Sequence, residues 1–390
     1  MRKAYILASY RTPGCRAGKG RFKDTRPDDL AALAIQGLLE RTGIDPGKVN
    51  DVYLGCSFPE AEQGMNVGRV AALKAGLPVA VPGLTINRFC SSGLQTIATA
   101  AERIMAGFDD CIIAGGVESM SSVPLGGLKY SANPGLMVDW PEAFSSMGTT
   151  AELVAEQYGI SREEMDVFAA ASHAKAAAAI EQGRFADEII PVEIEKNVLA
   201  GKKIKREKEL VTVDDGVRPG TTPETLAKLR SVFRVGGPVT AGNSSQMTDG
   251  AAASLVVSEE FLENLGKQPM ARFLAFAVKG VAPEVMGIGP VAAIPAALEM
   301  AGLIKEDIQL IELNEAFAAQ ALAVIKTLAL DPAIVNVNGG AIALGHPLGC
   351  TGAKLTASLL HEMGRRKLKY GMVSMCIGGG MGAAGIFEKM

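Results

Sequence analysis

The sequence predicts an α/β protein that contains two related halves. Strand patterns alternate with helix patterns along most of the 390 residues, which is typical of sheets covered by helices. Two stretches share one layout of a turn, a helix and a strand: 25 residues separate Cys90 from Gly115, and 26 separate Cys350 from Cys376. This similarity indicates an internal duplication, and we expect the chemistry to lie where the two halves face each other.

The first half carries ordinary start and end signals for its helices. Pro27 marks the start of one helix and Gly107 the end of another. The predicted elements of this half are, in order, a strand at 3–9, a helix from about 27, strands at 51–57 and 83–90, a helix at 91–107 and a strand at 111–119.

The second half resumes the alternation from about residue 250. Its predicted elements are strands at 253–259 and 271–278, a helix at 290–301, a strand at 308–313, a helix at 315–329, a strand at 333–339, a helix from about 350, and strands at 370–376 and 383–388.

The middle of the chain has a different composition. Residues 120–147 are rich in Ser, Gly, Pro and Met without a clear period, whereas Ser161 and Glu164 form a capping box for a long helix that Gly183 ends. The charged run 201–210 predicts an exposed hairpin. We interpret the middle as an insertion, so the predicted domains are an N-terminal core (1–119 and 248–270), an inserted loop domain (120–247) and a C-terminal core (271–390).

Composition excludes several classes of protein. The net charge of −3 and the isoelectric point of about 5.8 do not favour nucleic acid or an anionic membrane surface. The first residues lack a signal-peptide pattern, and no apolar run approaches the roughly 20 residues of a membrane helix. The six cysteines show neither a disulfide framework nor a metal-ligand spacing, so we expect a cytoplasmic protein with free thiols and no metal.

The glycines of MCIGGGMGAAG, 375–385, match the G-x-G-x-x-G fingerprint of a dinucleotide-binding turn. That function requires a helix after the glycines, because the helix N-terminus holds the pyrophosphate. Only IFEKM follows Gly385, so we interpret the glycines differently: they let backbone N–H groups point into a site beside Cys376.

Two cysteines and one histidine are candidates for chemistry. Cys90 lies at a strand-to-helix junction, where the helix N-terminus should lower the pKa of its thiol, although a buried packing cysteine is the plain alternative. His346 is flanked by Gly345 and Pro347, which favours a functional base over a core side chain. With Cys376 as a second thiol that exchanges protons, the set indicates acyl transfer through a thioester.

The other polar candidates are more ambiguous. Asn314 and Glu315 lie between a strand and a helix, where Asn314 is either an N-cap or the holder of a water aimed at a ligand. We expect His173 to be an exposed helix residue and His361 to have no catalytic role. The remaining cysteines are interpreted as packing residues: Cys15, Cys56, Cys111 and Cys350.

A set of motifs in this chain resembles the thiolase family. The motifs follow the family order and cover essentially the whole chain: NRFCSSGLQ, GGVESMS, TAGNSSQMTDGAAA, PEVMGIGP, ELNEAFAAQ, GGAIALGHPLGCTGA and CIGGGMGAAG. The resemblance implies the thiolase fold, with two duplicated α/β core domains in five layers and a loop domain inserted in the first half. It also implies an enzyme that cleaves 3-ketoacyl-CoA with CoA and needs no bound cofactor.

Catalytic roles follow from the resemblance at matching positions. Cys90 matches the acylated nucleophile, His346 the histidine that activates it, and Cys376 the general acid and base. Asn314 matches the residue that holds a catalytic water, which with His346 would form one oxyanion hole. The backbone N–H groups of Cys90 and Gly378 would form the other.

CoA binding is also implied by the match. Arg218 and Phe233 would flank the adenine, Ala241 and Ser245 would line the pantetheine channel, and Met147 would line the substrate end. The basic run 202–208 could attract the CoA phosphates, but we interpret it as a solvated face.

The subtype implied is the degradative 3-ketoacyl-CoA thiolase of fatty acid β-oxidation, acting as a homodimer. The biosynthetic acetoacetyl-CoA type, which condenses two acetyl-CoA, usually has His where this chain has Ser146, and its longer loop supports tetramers. A multienzyme partner, which some family members have, would leave no readable motif. A decarboxylating ketosynthase and a non-catalytic CoA-binding or scaffold protein are the remaining alternatives.

Overall fold

The structure is a computed structural model that describes residues 2–200 and 203–390. The first part of the chain contains β1 (Ala4–Arg11), β2 (Cys15–Arg16), α1 (Pro27–Thr42), β3 (Asp51–Gly55), α2 (Val67–Lys74), β4 (Leu84–Ile86), α3 (Ser92–Met105) and β5 (Cys111–Ser119). The middle contains α4 (Pro134–Asp139), α5 (Met147–Gln157), α6 (Arg162–Glu181), β6 (Val192–Ala200), β7 (Lys203–Val211) and α7 (Pro223–Leu226). The last part contains β8 (Thr248–Ser258), α8 (Glu259–Leu265), β9 (Ala271–Gly280), α9 (Gly289–Ala301), β10 (Leu310–Leu313), α10 (Ala318–Leu328), α11 (Ala341–Leu344), α12 (Leu348–Arg366), β11 (Tyr370–Ile377) and β12 (Met381–Lys389).

The strand order confirms the duplication that the sequence predicted. The first half runs β4-β3-β5-β8-β1 across its sheet, and the second half runs β10-β11-β12-β9 with Val335 bridged in parallel beside Ile311 of β10. When the long strands of each half are numbered along the chain, and the Val335 bridge is counted as the third of the second half, both sheets have the spatial order 3-2-4-5-1. The two sheets meet where β1 pairs antiparallel with β9 at two residues, Tyr5 and Ile6.

The layers are helices, sheet, helices, sheet, helices. Helices α1 and α2 cover the face of the first sheet that points away from the second sheet. Helices α9 and α10 cover the corresponding outer face of the second sheet. Helices α3 and α12 form the central layer and contact both sheets through a shared apolar core that includes Leu94, Ile97, Leu355 and Leu359. This confirms the predicted α/β class and its five layers.

Helices α3 and α12 approach each other unusually closely. A Cβ added at Gly352 would lie 2.3 Å from the backbone nitrogen of Leu94, and one added at Gly93 would lie 2.7 Å from the backbone nitrogen of Ala353. Glycine is therefore required on both helices, because any side chain would force them apart. Since Cys90 precedes α3 and His346 precedes α12, this contact sets the distance between the two halves of the site.

The predicted strand at 333–339 is wrong. The backbone makes one isolated bridge, Val335 to Ile311, and then enters the left-handed region at Asn336 with φ of 46°. The Asn336 side chain replaces the missing strand: its amide donates to the Leu313 carbonyl (2.8 Å) and accepts from the Leu313 N–H (2.8 Å). A side-chain amide that imitates a peptide gives the same buried pairing without a strand.

Other boundaries differ in smaller ways. The strand predicted at 83–90 is confined to β4, and the helix predicted at 315–329 begins only at Ala318. The capping box of Ser161 and Glu164 is present at the start of α6, and β6 and β7 form the predicted hairpin. Residues 201 and 202 of the charged run lie outside the described residues.

The segment between β5 and β8 is tied to the core by a buried ion cluster. Arg11 at the end of β1 is 1% exposed and pairs with Glu188 (2.5 Å) and Asp214 (2.7 Å) of that segment. Glu188 also accepts a hydrogen bond from Ser358 of α12 (2.8 Å). The domain limits proposed from the sequence, including the boundary at 270, stay a prediction.

One helical stretch, 283–301, is long and apolar enough to cross a membrane by those two criteria alone. It contains α9, whose side chains Ala293, Ile294 and Ala297 are buried against the second sheet. A core helix passes the same test, so the stretch is weak evidence for a membrane span.

Replacing Arg11 by Met should destabilise the protein strongly. The substitution leaves Glu188 and Asp214 buried without their cation, and breaking a buried ion pair costs about 3–5 kcal/mol. Urea unfolding should show the loss, with Arg26→Met as the control because the Arg26 pair with Asp28 is at the surface and contributes about 0–1 kcal/mol. Equal stability of the two variants would contradict this account of the cluster.

Candidate active site

A cavity of about 510 Å³ lies between the two halves and the inserted segment. Cys90, His346 and Cys376 all line it, so the structure brings together the three residues that the sequence singled out for chemistry. Apolar side chains form much of the remaining wall: Met120, Leu125, Met286, Phe317 and Leu348.

Cys90 is held at the start of α3 by a strained turn. A 3₁₀ turn spans Phe89–Ser91, and Phe89 has φ of 43°, in the left-handed region that non-glycine residues rarely adopt. Ser92 stabilises this turn, because its hydroxyl donates to the Phe89 carbonyl and accepts from the Arg88 N–H. Backbone strain that is held in place beside a nucleophile is a feature of functional sites.

The expected lowering of the Cys90 pKa by the helix N-terminus is wrong. Burial raises the pKa of the Cys90 thiol to about 11, although the backbone N–H groups of Gly378 and Cys90 itself favour the thiolate. Loss of hydration in the cavity wall is the larger effect. The resting thiol is therefore protonated near neutral pH and needs a base during attack.

Cys376 lies in β11, one residue before its end, and the glycines after it form the turn into β12. Gly379 and Gly380 have φ of 80° and 84°, which is why glycine occupies this turn. Gly382 and Gly385 are inside β12, so the glycine pattern belongs to a hairpin, and no helix follows it in the described chain. This excludes the dinucleotide-binding interpretation, as expected from the sequence.

The two thiols are neighbours in space. Burial raises the pKa of Cys376 well above its ordinary value, and the nearby Cys90 raises it further. The sequence-based expectation that the Cys376 thiol has a pKa near 8 is therefore wrong for the free protein. Both cysteines rest as neutral thiols, and only one of them can carry charge at a time without a large cost.

His346 is oriented by hydrogen bonds on both ring nitrogens. Nε2 lies 3.3 Å from Asn314 Nδ2, and Nδ1 lies 2.6 Å from Thr351 Oγ1. Because the amide nitrogen of Asn314 can only donate, Nε2 is the acceptor and Nδ1 carries the proton toward Thr351. Burial, with a smaller contribution from the charge of Lys354, lowers the pKa of His346 to about 3, so the imidazole is neutral and Nε2 is free to accept a proton.

The turn that carries His346 is fixed by two buried ionisable residues. Lys354 of α12 donates to the carbonyls of Leu344 and Gly345, both at 3.2 Å. Glu118, at the end of β5 in the other half, accepts from the N–H of Gly349 at 2.8 Å. Each half of the chain therefore holds the segment that contains His346.

Asn314 is not an N-cap, because α10 begins at Ala318 after an extended residue. Its backbone N–H donates to the Ser374 carbonyl, and its own carbonyl accepts from Gln320, which fixes the side chain beside His346. Asn314 Oδ1 is buried and has no hydrogen-bond partner among the described residues. A buried polar atom without a partner is well suited to a water or ligand group.

The residues assigned to CoA line the same cavity as the thiols: Met147, Arg218, Phe233, Ala241 and Ser245. The backbone N–H of Gly378 donates to the Cys90 sulfur. The backbone N–H of Ser245 donates to the Ala316 carbonyl, and the backbone carbonyl of Gln246 accepts from the His346 N–H. These two neighbouring residues therefore connect the cavity wall to the loop after Asn314 and to the turn that carries His346.

Several residues at the site were missed by sequence reasoning. Thr351 and Lys354 act through tertiary contacts that no local pattern shows, although both follow His346 closely on α12. Arg16 and Lys19 also line the cavity, and the basic composition of CRAGKGRFK was the available signal.

The assignments of the other histidines and cysteines are partly corrected. His173 is 4% exposed rather than exposed, and its Nδ1 accepts from the Arg218 N–H (3.2 Å), which places Arg218. Burial lowers the pKa of His173 to about 4, so it stays a neutral acceptor. The four cysteines interpreted as packing residues are buried: Cys15, Cys56, Cys111 and Cys350.

In the basic run, the described side chains of Lys205, Arg206 and Lys208 are exposed and pair with glutamates of the same hairpin. This agrees with a solvated face.

The fold and site define an enzyme of duplicated α/β architecture in which two thiols, a neutral histidine and directed backbone N–H groups surround one cavity. Comparison with family models matches residues 4–260 to "Thiolase, N-terminal domain" and residues 267–389 to "Thiolase, C-terminal domain". The chain belongs to the thiolase family.

Known relatives are similar over all or nearly all of this chain. The chain is 55% identical to the 3-ketoacyl-CoA thiolase of Bacillus subtilis (strain 168), covering 100% of both chains, and 50% identical to the peroxisomal 3-ketoacyl-CoA thiolase 5 of Arabidopsis thaliana, covering 98% of this chain and 85% of that one. Among solved structures, human mitochondrial 3-ketoacyl-CoA thiolase superimposes with a TM-score of 0.90 at 40% identity, and Bacillus anthracis acetyl-CoA acetyltransferase with 0.91 at 42%. Both alignments cover 100% of this chain and 99% of the other.

Replacing Thr351 by Val should slow the reaction of Cys90 with iodoacetamide at pH 8 by about tenfold. The change removes the acceptor for Nδ1–H, and an unsatisfied buried donor costs about 1–3 kcal/mol, so the proton is expected to shift to Nε2 and block the base. Mass spectrometry of the Cys90 peptide measures the rate.

Thr356→Val is the matched control for this prediction. Thr356 lies on the same helix and is equally buried, and among the described residues its hydroxyl bonds the Gly352 carbonyl within that helix and no other group. Equal alkylation rates in the two variants would show that Thr351 does not orient the imidazole.

Proposed function

We propose that this protein catalyses thiolysis of 3-ketoacyl-CoA by CoA, which yields acetyl-CoA and a shortened acyl-CoA, in fatty acid β-oxidation. The observation that carries the proposal is the placement of Cys90, Cys376 and His346 around one cavity, with the Gly378 N–H at the Cys90 sulfur. The full-length similarity to proteins named 3-ketoacyl-CoA thiolase supports the same activity.

The first half-reaction transfers the acyl group to Cys90. His346 Nε2 takes the thiol proton as the Cys90 sulfur attacks the 3-keto carbon, because a free thiolate is not stable in the buried resting site. The imidazolium, which burial disfavours in the free protein, forms together with an oxyanion that balances its charge. The new oxyanion receives hydrogen bonds from the N–H groups of Cys90 and Gly378. The C2–C3 bond then breaks, and the Cys376 thiol protonates the C2 carbanion to form acetyl-CoA.

Stabilisation of the carbanion is the largest task of the enzyme. Its negative charge resides on the thioester oxygen of the enolate, where protonated His346 and a water held by Asn314 would donate hydrogen bonds. These donors are fixed before the reaction by Thr351 and Gln320, so little reorganisation accompanies charge formation.

The second half-reaction releases the acyl group to CoA. The Cys376 thiolate takes the proton of the incoming CoA thiol, and the CoA thiolate attacks the thioester carbon on Cys90. The Cys90 sulfur leaves and regains its proton from His346. CoA is a substrate in this scheme, and no permanently bound cofactor or metal takes part.

The assigned CoA residues support a path from solvent to the thiols. Phe233 and Arg218 are exposed at the open end, where they would flank the adenine. Ala241 and Ser245 would line the channel for the pantetheine arm, and Met147 would contact the substrate end.

Condensation of two acetyl-CoA is the second candidate, because the acetyl-CoA acetyltransferase of Bacillus anthracis is also similar over the full chain. Ser146 favours the degradative type: it lines the cavity and caps α5 through the Thr149 N–H, at the position where the biosynthetic type usually has His. A non-catalytic CoA-binding protein would not need the paired thiols and the oriented histidine.

We also propose that the protein is a cytoplasmic homodimer. The open edge of the first sheet supports the dimer. Strand β4 pairs only with β3 in the described chain, and its Leu84 is 41% exposed. Exposed apolar side chains also occur in the chain segments before and after β4: Met65, Val79 and Phe89. An unprotected apolar edge strand favours pairing with another chain.

Purified protein should cleave 3-ketoacyl-CoA of C4, C8 and C16 chain length in the presence of CoA. Activity on the longer chains, absent from Cys90→Ser, is expected for the degradative enzyme, since the serine hydroxyl is a far weaker nucleophile. Loss of the 3-ketoacyl-CoA absorbance measures the rate. Activity confined to C4 would move the assignment to the acetoacetyl-CoA type, and a fully inactive wild type would refute thiolysis.

Replacing Leu84 by Asp should convert a dimer to monomers, because it places a charge on the exposed edge. Sedimentation velocity measures the mass. Met300→Asp is the control, since Met300 is also an exposed apolar residue but lies on α9 in the other half of the chain. A wild type that sediments as a monomer, or a Leu84→Asp variant that remains a dimer, would contradict the proposed interface.

A further inference from the structure

One buried carboxylate holds the segment 336–345, which immediately precedes the histidine of the site. Glu315 is 2% exposed. Its Oε1 accepts a hydrogen bond from Asn336 Nδ2 (2.9 Å), and its Oε2 accepts one from the Ile342 N–H (3.3 Å). A single side chain therefore binds this segment at its first residue and again in its middle.

Ser172 of α6 joins the same carboxylate to the inserted segment. Its hydroxyl donates to Glu315 Oε2 (2.6 Å) and accepts from the Gly340 N–H (3.0 Å). A Cβ added at Gly340 would lie 2.2 Å from the carboxyl carbon of Glu315, and one added at Gly339 would lie 2.6 Å from the Ser172 carbonyl oxygen. Because the glycine backbone packs directly against both residues, Glu315 and Ser172 set the position of the segment.

The hydrogen bonds around Glu315 require two acceptor oxygens. The Ile342 N–H can only donate, and the Asn336 amide cannot be reversed because its Oδ1 accepts from the Leu313 N–H (2.8 Å). Burial raises the pKa of Glu315, whereas the hydrogen bonds from Ser172, Asn336 and Ile342 favour its charged form. A carboxylate satisfies both fixed donors, but a carboxamide of the same shape would turn its NH₂ group toward one of them.

The carboxylate also connects the two polar side chains that face each other in the site. Glu315 directly follows Asn314 in the chain. Ile342 belongs to α11, which ends two residues before His346. Since Asn314 Nδ2 lies 3.3 Å from His346 Nε2, the bonds from Glu315 to α11 and to Asn336 determine how closely the two side chains approach.

We propose that Glu315 is a positioning residue that fixes the distance between Asn314 and His346, with Ser172 as its support from the inserted segment. The inference rests on the proposed function, in which these two side chains serve the oxyanion hole for the enolate. Glu315 is not among the described residues that line the cavity, so it acts through its neighbours and does not touch the substrate. Oxyanion donors must be in place before charge develops, and a displacement of about 1 Å can cost about a hundredfold in rate.

The test replaces Glu315 by Gln, which keeps the shape of the side chain and removes one acceptor. We expect kcat for thiolysis to fall about tenfold or more, because the oxyanion donors are displaced. The KM for CoA, and its Kd from calorimetry, should change by less than about twofold, because the substituted side chain does not line the cavity. An unchanged kcat, or a rise in KM and Kd without a fall in kcat, would overturn the positioning role.

Ser172→Ala is the second variant, and it leaves the carboxylate intact in case the buried Gln prevents folding. It removes one donor to Glu315 and the acceptor of the Gly340 N–H, so we expect kcat to fall about three- to tenfold. The double variant should be no slower than Glu315→Gln alone, because residues that act as one unit are not additive. Losses that multiply in the double variant would contradict a shared role.

Glu362→Gln is the matched control. Glu362 is also a buried carboxylate, and it accepts from Asn338 Nδ2 of the same segment at 2.9 Å. Its other described partners are Arg365 and Arg366, which lie on its own helix. Its kcat, expressed per folded molecule from the calorimetric binding stoichiometry, should match wild type. An equal fall in kcat in Glu362→Gln and Glu315→Gln would show a general loss of packing and overturn the inference.

Alkylation of Cys90 by iodoacetamide separates failure of this inference from failure of the proposed function, because it depends on the placement of the imidazole but not on thiolysis. Glu315→Gln should react at least about threefold more slowly than wild type and Glu362→Gln. If wild type cleaves 3-ketoacyl-CoA while Glu315→Gln keeps the wild-type kcat and alkylation rate, the positioning role alone is refuted. If wild type shows no thiolysis but Glu315→Gln still slows alkylation, the proposed reaction fails and the positioning role is supported.

Discussion

The contact between α3 and α12 is the constraint on which the site depends. Gly93 and Gly352 allow the two helices to pack with backbone against backbone, and a single added Cβ would lie 2.3–2.7 Å from the facing chain. The helices begin on the same side of this contact, so the turn with Cys90 and the turn with His346 meet at one cavity. Glu118 strengthens the arrangement, because its buried carboxylate binds N–H groups of Ser57 in the first half and Gly349 in the second.

Burial keeps the two thiols and the imidazole neutral at rest. The thiol pKa of Cys90 is raised to about 11 and the pKa of His346 is lowered to about 3, so proton transfer between them is unfavourable until a substrate develops charge. The same exclusion of water strengthens every hydrogen bond to an oxyanion. The fixed donors around the sulfur and the imidazole are therefore more important for catalysis than a preformed thiolate would be.

The inserted segment completes the cavity and gives it polarity. Arg11 fastens this segment to β1 through Glu188 and Asp214, and Asp214 and Asp215 then bind the loop after β1. As a result, Arg16 and Arg218, which come from distant parts of the chain, line the same cavity.

The sequence by itself determined the alternation of elements, the duplication, the capping box of α6 and the identities of Cys90, His346 and Cys376, because these depend on local periodicity and on motifs that are contiguous in the chain. Tertiary structure decided the rest. The direction of the Cys90 pKa shift, the burial of His173 and the replacement of a strand by the Asn336 side chain depend on which groups surround a residue, and that environment comes from distant segments. The same holds for Thr351, Arg16 and Lys19, because only the folded chain places them beside the imidazole or in the cavity wall.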